Sequence, residues 1–187
     1  MIRPPWLEAW LLRCDRSLFR LTSLDHFLNG APLVLLELLE ASYAAVYVVI
    51  AAGAIAAASA GTPLLDHYWT LVLTAELACY VWLPVLRSRP PRAVETPGVM
   101  ARRGPRLRRW NGAVLNRASV QANTLPSGHV AGAVAAALGV LPVSGLLAGV
   151  LLVAAGAIAL AAVAGRYHYA VDCAAGALVA VLAWSAG

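Results

Sequence analysis

Of the 187 residues, 61% are hydrophobic and only 12% charged, whereas an ordinary soluble domain is about half apolar and about a quarter charged. That composition argues against a soluble globular fold and predicts an all-α, polytopic bundle in a bilayer. All 14 basic residues are arginine and none is lysine, a bias that genome composition explains as readily as a need for planar guanidinium groups on phosphate. Cys14, Cys79 and Cys173 are far apart with no CxxC spacing, so neither a disulfide framework nor a structural zinc site is expected. No nucleic-acid partner is expected.

In chain order, residues 6 to 29 place Leu7, Leu11, Cys14, Leu18, Leu21 and Leu28 at helical intervals, interleaved with Arg13, Arg16, Arg20 and Asp25. This pattern predicts an amphipathic helix over residues 1–30 lying in the membrane interface, too charged to cross. It does not resemble a cleavable signal peptide, so the first true span is expected to act as the insertion signal. A first span is predicted from Pro32 to Ala60, broken by Gly61, Thr62 and Pro63, and a second from Tyr68 to Leu86. Residues 87 to 123 then carry nine arginines and Pro90, Pro91, Pro97 and Pro105 with no apolar run long enough to cross, and are predicted to form a polar loop. Residues 126 to 164 correspond to about 58 Å of helix, roughly twice the hydrocarbon thickness. They are predicted to make two spans joined near Pro142 and Gly145. A fifth runs from the Gly165 to His168 connection to Gly187, all within one membrane-embedded domain, 1–187.

Alternating five spans puts all 14 arginines on one face. The positive-inside rule makes that face cytoplasmic, here of a bacterial-type plasma membrane.

Three polar clusters fall at span ends on this face: Arg89 to Arg92, Pro126 to His129, and Arg166 to Asp172. Ser127, Gly128 and His129 open the third span, where a helix N-terminus offers unpaired N–H groups and a positive dipole end to an anion. A capped helix start with an interfacial histidine explains the same residues about equally well. His168 and Asp172 are four apart, so on a helix the carboxylate can fix the imidazole tautomer and leave the other nitrogen as nucleophile or base. An intramembrane aspartate is a functional candidate by default. Arg89, Arg92 and Arg166 are candidates to clamp phosphoryl oxygens, whereas Arg102, Arg103, Arg106, Arg108 and Arg109 read as a solvated or headgroup-binding patch. Glu37, Glu40, Tyr43 and Tyr47 recur at helical spacing, and Glu76 and Tyr80 form an i, i+4 pair. These groups are expected to face the bundle interior. Arg117 receives no role.

PSGH at 126 to 129 and HYAVDCAAG from His168 to Gly176, preceded by RPPR at 89 to 92, resemble the type 2 phosphatidic acid phosphatase superfamily. The resemblance covers the order of the three motifs, about 100 residues from Arg87 onward. It implies a metal-independent, cofactor-free mechanism through a phosphohistidine. His168 would be the nucleophile, Asp172 its orienting carboxylate and His129 the acid for the leaving group. Ser127, Gly128, Arg89, Arg92 and Arg166 would hold the phosphoryl oxygens. Two of the motifs depart from the family pattern: Trp82 stands where a lysine usually lies seven residues before Arg89, and Ala161 and Ala162 stand where Ser-Arg usually precedes the histidine. The compact RYHYAVD form is similar to the inositol phosphoceramide synthase-like branch.

The expected activity is therefore hydrolysis of a lipid phosphomonoester or diphosphate, phosphatidate-like or polyprenyl, with membrane lipids as surroundings. The alternatives are a phosphotransferase that passes the phospho-headgroup to an alcohol, a non-enzymatic lipid or anion carrier, and a zinc site of His129, His168 and Asp172.

Overall fold

The computed structural model describes residues 5–86, 88–118 and 125–187, and these form an all-helical bundle. Arg87 and most of the stretch joining 118 to Pro126 lie outside the described residues, and so do those parts of the predicted polar loop.

The central element is α8 (Gly128–Gly139), which packs against α4 (Val46–Ala60), α5 (Thr62–Tyr80), α9 (Gly145–Ala164) and α10 (Ala170–Ala186). Its side chains explain that position. Ala131, Ala133, Ala135, Ala136 and Ala137 are each wholly buried, and such small residues let four neighbouring backbones approach closely. Tyr68 of α5 is the largest side chain in this core. It lies between Gly53 and Gly139, and its hydroxyl donates to Ile50 O at 2.6 Å. A second apolar cluster lies at the other end, where α2 (Leu24–Gly30), α3 (Leu33–Ala44) and α6 (Val99–Arg103) meet the C-terminal turn of α9.

Within residues 1–30, predicted to lie in the membrane interface, the described residues form two helices, α1 (Pro5–Thr22) and α2, separated at Ser23, which has φ 50°. One face of α1 is committed to protein. Leu7, Leu11 and Asp15, at i, i+4 and i+8, are buried, and the two leucines pack with Tyr169.

Among the described residues of the predicted spans, α9 alone is long and apolar enough to cross a bilayer, its 20 residues corresponding to about 30 Å. Helices α3 and α4 pass the same test only together, and the pair bends by 53° at Ala45. Helix α5 stops at Tyr80 and gives way to turns, while α8 has 12 residues, about 18 Å of rise. The five-span count thus exceeds what helix length and composition carry among the described residues. The hairpin predicted near Pro142 and Gly145 is present, with Ser144 capping α9 by accepting from Leu147 N–H at 3.2 Å.

The Arg-rich segment departs from a plain loop. Beside the short 3₁₀ turn Pro91–Ala93 and short α6, residues Arg106–Ala118 form the 13-residue helix α7. Its packed face, Arg108, Asn111 and Leu115, has helical spacing. This was hidden in the sequence because two of the three inward residues are polar.

Candidate functional site

The site forms where α8 and α10 begin. The Ser127 N–H donates to Asp172 O at 2.9 Å, and a Cβ on Gly176 would collide with the Ser127 carbonyl. A glycine at 176 is therefore what allows the start of α8 to lie against the first turns of α10. This contact brings the two motifs, some forty residues apart in sequence, side by side.

Ser127 is fully buried and is the N-cap residue of α8, yet its side chain does not cap the helix and its Oγ has no hydrogen-bond partner among the described residues. A buried hydroxyl beside a helix N-terminus has its donor available for an anion. Gly128 follows, its Cα facing Tyr80 so closely that a Cβ would lie 3.0 Å from the Tyr80 hydroxyl.

The rings of His129 and His168 face one another with centroids 5.8 Å apart, tilted by 51°. Asp172 is buried, and its Oδ2 lies 3.7 Å from His168 Nδ1, within ion-pair range but beyond a hydrogen bond. The same oxygen accepts from Tyr169 N–H at 3.0 Å, reaching back from the first turn of α10 to the residue that caps it. Asp172 is thus held by the helix terminus while facing the imidazole. His168 Nδ1 is buried without a hydrogen-bond partner among the described residues.

Aromatic rings fix the other histidine. Tyr43 stacks on His129 at 5.1 Å and 6°, Tyr47 meets it edge-on at 6.3 Å, and Tyr167 stacks on the far end of this array, 4.0 Å from Tyr43. Two guanidinium groups then approach the Tyr167 ring, Arg92 at 5.4 Å and Arg108 at 5.3 Å from its centre, both within cation–π range. Burial lowers the Arg92 pKa, and the nearby Arg108 charge acts in the same direction. No carboxylate pairs with Arg92 among the described residues. Two adjacent cations, one of them without an acid, make an attractive position for an anion.

The arginines singled out in the sequence separate into different environments. Arg92 stands at this aromatic wall, its N–H donating to Arg166 O at 3.0 Å. Arg89 is exposed and forms a forked pair with Glu8, Nη2 to Oε2 at 2.9 Å, which raises its pKa. Arg166 has φ 60°, a conformation that favours glycine. Its guanidinium is engaged by Asp15 at 2.9 Å, by Glu95, and by the Phe19 ring. Asp15 also accepts from Ala170 N–H at 2.9 Å. Burial raises the Asp15 pKa, opposed by that N–H and by Arg166. The structure therefore gathers Ser127, Gly128, His129, His168, Asp172 and Arg92, and places the charged ends of Arg89 and Arg166 on carboxylates of α1 and the 95 region.

Sequence reasoning missed Asp15, although its register with Leu7 and Leu11 puts it on the apolar face of α1. It also assigned Arg108 to a solvated patch. Instead Arg108 donates to Glu40 at 2.9 Å and to Gly165 O at 3.0 Å, and the buried Glu40 further accepts from Asn111 at 2.8 Å and the Tyr167 hydroxyl at 2.6 Å. Glu37 caps the start of α7 by accepting from Arg106 and Leu107 N–H at 2.5 and 3.0 Å. Both acids, expected to face the interior, hold α7 to α3. The zinc reading gains no support, since no group of three or more His, Cys, Asp or Glu is arranged to hold a metal ion among the described residues.

Compared with known families, residues 9–186 match the model of the PAP2 superfamily. No curated protein and no solved structure matches the chain.

Proposed function

The chain belongs to the PAP2 superfamily, whose members are generally phosphatases or related phosphotransferases, and from that premise we propose that it hydrolyses a lipid phosphate through a phosphohistidine. The observation that carries this reading is the meeting of His129 and His168 beside the buried Ser127 hydroxyl at the start of α8.

With Asp172 facing Nδ1 of His168, the Nε2 nitrogen attacks phosphorus, and the carboxylate stabilises the positive charge that develops on the ring. His129 gives its proton to the departing alkoxide as the phosphorus–oxygen bond breaks. The transferring phosphoryl group sits on the N–H groups of the α8 terminus, Ser127 Oγ and Arg92, where fixed donors and charge offset its growing anionic character. His129, once deprotonated, takes a proton from water as the water oxygen attacks the phosphohistidine. Phosphate leaves, and both histidines return to their starting states.

A membrane setting supports a lipid as substrate. Helix α9 is long and apolar enough to cross, and large apolar side chains such as Leu146, Val153, Ile55 and Leu182 lie exposed on the outside of the bundle, an outward apolar surface that suits lipid rather than water. In this reading α3 with α4, α5, α8, α9 and α10 embed in the bilayer, and the arginine-bearing end faces the cytoplasm.

Purified protein incubated with a panel of labelled lipid phosphates tests the proposal. Free phosphate should appear, vanadate should inhibit, and His168→Ala should lose nearly all turnover. Formation of a new phosphoester with an added alcohol, without phosphate release, would make the enzyme a transferase. Retained lipid movement in His168→Ala would favour a carrier.

A further inference from the structure

Helix α7 has three stripes. Arg108, Asn111 and Leu115 face the bundle, where the first two bind Glu40. Leu107, Trp110 and Val114, at i, i+3 and i+7, are exposed. Arg106, Arg109 and Arg117 are exposed alongside them, and no acidic residue occurs from Thr96 to Ala118. A helix carrying a tryptophan-containing apolar stripe beside a basic one suits the boundary between acyl chains and anionic headgroups.

The depth of α7 agrees. Glu37, which caps α7, is four residues into α3, and Glu40, which binds Asn111, is seven residues in. At 1.5 Å per residue these points lie about 6 and about 10 Å from the start of α3. If α3 enters the membrane at Leu33, α7 lies at headgroup depth. Its inner face also touches the site: Arg108 holds Gly165 O and the Tyr167 ring, and Tyr167 stacks through Tyr43 onto His129.

We propose that α7 docks on the anionic headgroup layer of the bilayer holding the protein, through Trp110 and Arg106, Arg109 and Arg117, and that this docking sets the position of His129 through Arg108, Tyr167 and Tyr43. Arg108 and Tyr43 are positioning residues in this scheme. The inference rests on the membrane reading above, and its consequence is activation by anionic lipid.

The full chain in nanodiscs of phosphatidylcholine, or of phosphatidylcholine with phosphatidylglycerol, provides the test. Trp110 fluorescence, taken as the difference between wild type and Trp110→Phe, should be quenched by brominated acyl chains, more strongly in the anionic discs. Turnover of a soluble alkyl phosphate, whose basic leaving group needs the proton of His129, should rise several-fold with phosphatidylglycerol and fall back in high salt. Arg106→Gln/Arg109→Gln/Arg117→Gln should keep the turnover seen in neutral discs and lose the rise. Unquenched Trp110 in both discs would overturn the docking, and this readout needs no turnover, so it separates failure here from failure of the proposed chemistry. Quenching without a lipid-dependent rise, or a full rise in the triple variant, would overturn the coupling.

Discussion

Gly176 lies so close to Ser127 that a single added methyl group would strike the serine carbonyl. Gly149, on α9, has no heavy atom within 4 Å of where its Cβ would be. Gly176→Ala should therefore cost about 1–3 kcal/mol, as overpacking does, and depress turnover by moving the α8 terminus away from His168. Gly149→Ala should be neutral or stabilise by about 0.5–1 kcal/mol, as alanine does within a helix. Thermal unfolding in detergent together with phosphate release distinguishes a local steric effect from a general intolerance of alanine. Equal losses in the two variants would refute the role given to Gly176.

The tilted His129–His168 pair predicts a dependence on leaving group. An acid matters most when the departing oxygen is basic, so His129→Gln should slow an alkyl phosphate by about 10²–10⁴ and an activated aryl phosphate far less. His168→Gln should abolish both, because no phosphoenzyme forms. Steady-state kinetics on a series of leaving groups checks this. A uniform loss across the series in His129→Gln would remove it from the acid's role.

Parts of this arrangement were legible because they rest on short-range rules. Ser127 before an apolar run gives a helix start, and His168 with Asp172 shares a face by spacing alone. The PAP2 resemblance was legible in the motifs for the same reason. Side-chain pairing across the bundle was not. Arg166 reads as a phosphate ligand from its place beside His168, but Asp15 lies 151 positions away and Glu95 in a segment with no periodic signal. Arg108 lay within a run of like charges, and only the burial of Glu40 shows why one of them turns inward. The lengths and breaks of the spans were hidden for a different reason. Apolar run length sets a maximum for a helix, whereas the bend at Ala45 and the shortness of α8 depend on packing around a centre of alanine and glycine.

Arg92 and Arg89 should behave differently despite sharing one motif. Arg92 lies against Tyr167 with no carboxylate partner among the described residues, whereas Arg89 is exposed and satisfied by Glu8. Arg92→Ala should raise KM and weaken vanadate inhibition by about tenfold or more, the loss typical of a charge-assisted contact to an oxyanion. Arg89→Ala should leave both nearly unchanged. Inhibition constants for vanadate in the two variants decide the matter, and matched losses would mean that both arginines reach the phosphate.

The Asp15–Arg166 pair makes a prediction in which stability and catalysis are separable. Asp15 joins three things: the Arg166 guanidinium at 2.9 Å, the Ala170 N–H in the first turn of α10 at 2.9 Å, and the apolar face of α1. Removing the carboxylate leaves a mostly buried arginine with Glu95 as its remaining acid and leaves an unpaired N–H at a helix start. Breaking a buried pair in this way costs about 3–5 kcal/mol, and Glu95 should hold Asp15→Ala toward the lower end. In Asp15→Ala/Arg166→Leu the stranded charge is also gone, so stability should partly return, with a coupling of about 1–3 kcal/mol by a double-mutant cycle. Turnover should not return with it, because Ala170 N–H, two residues from His168, stays unanchored and Arg166 no longer holds the loop at φ 60°. The expected pattern is therefore recovery of Tm without recovery of kcat, at nearly constant KM. Recovery of both together would reduce Asp15 to a simple charge partner, and a large rise in KM in Arg166→Leu would return Arg166 to the phosphate.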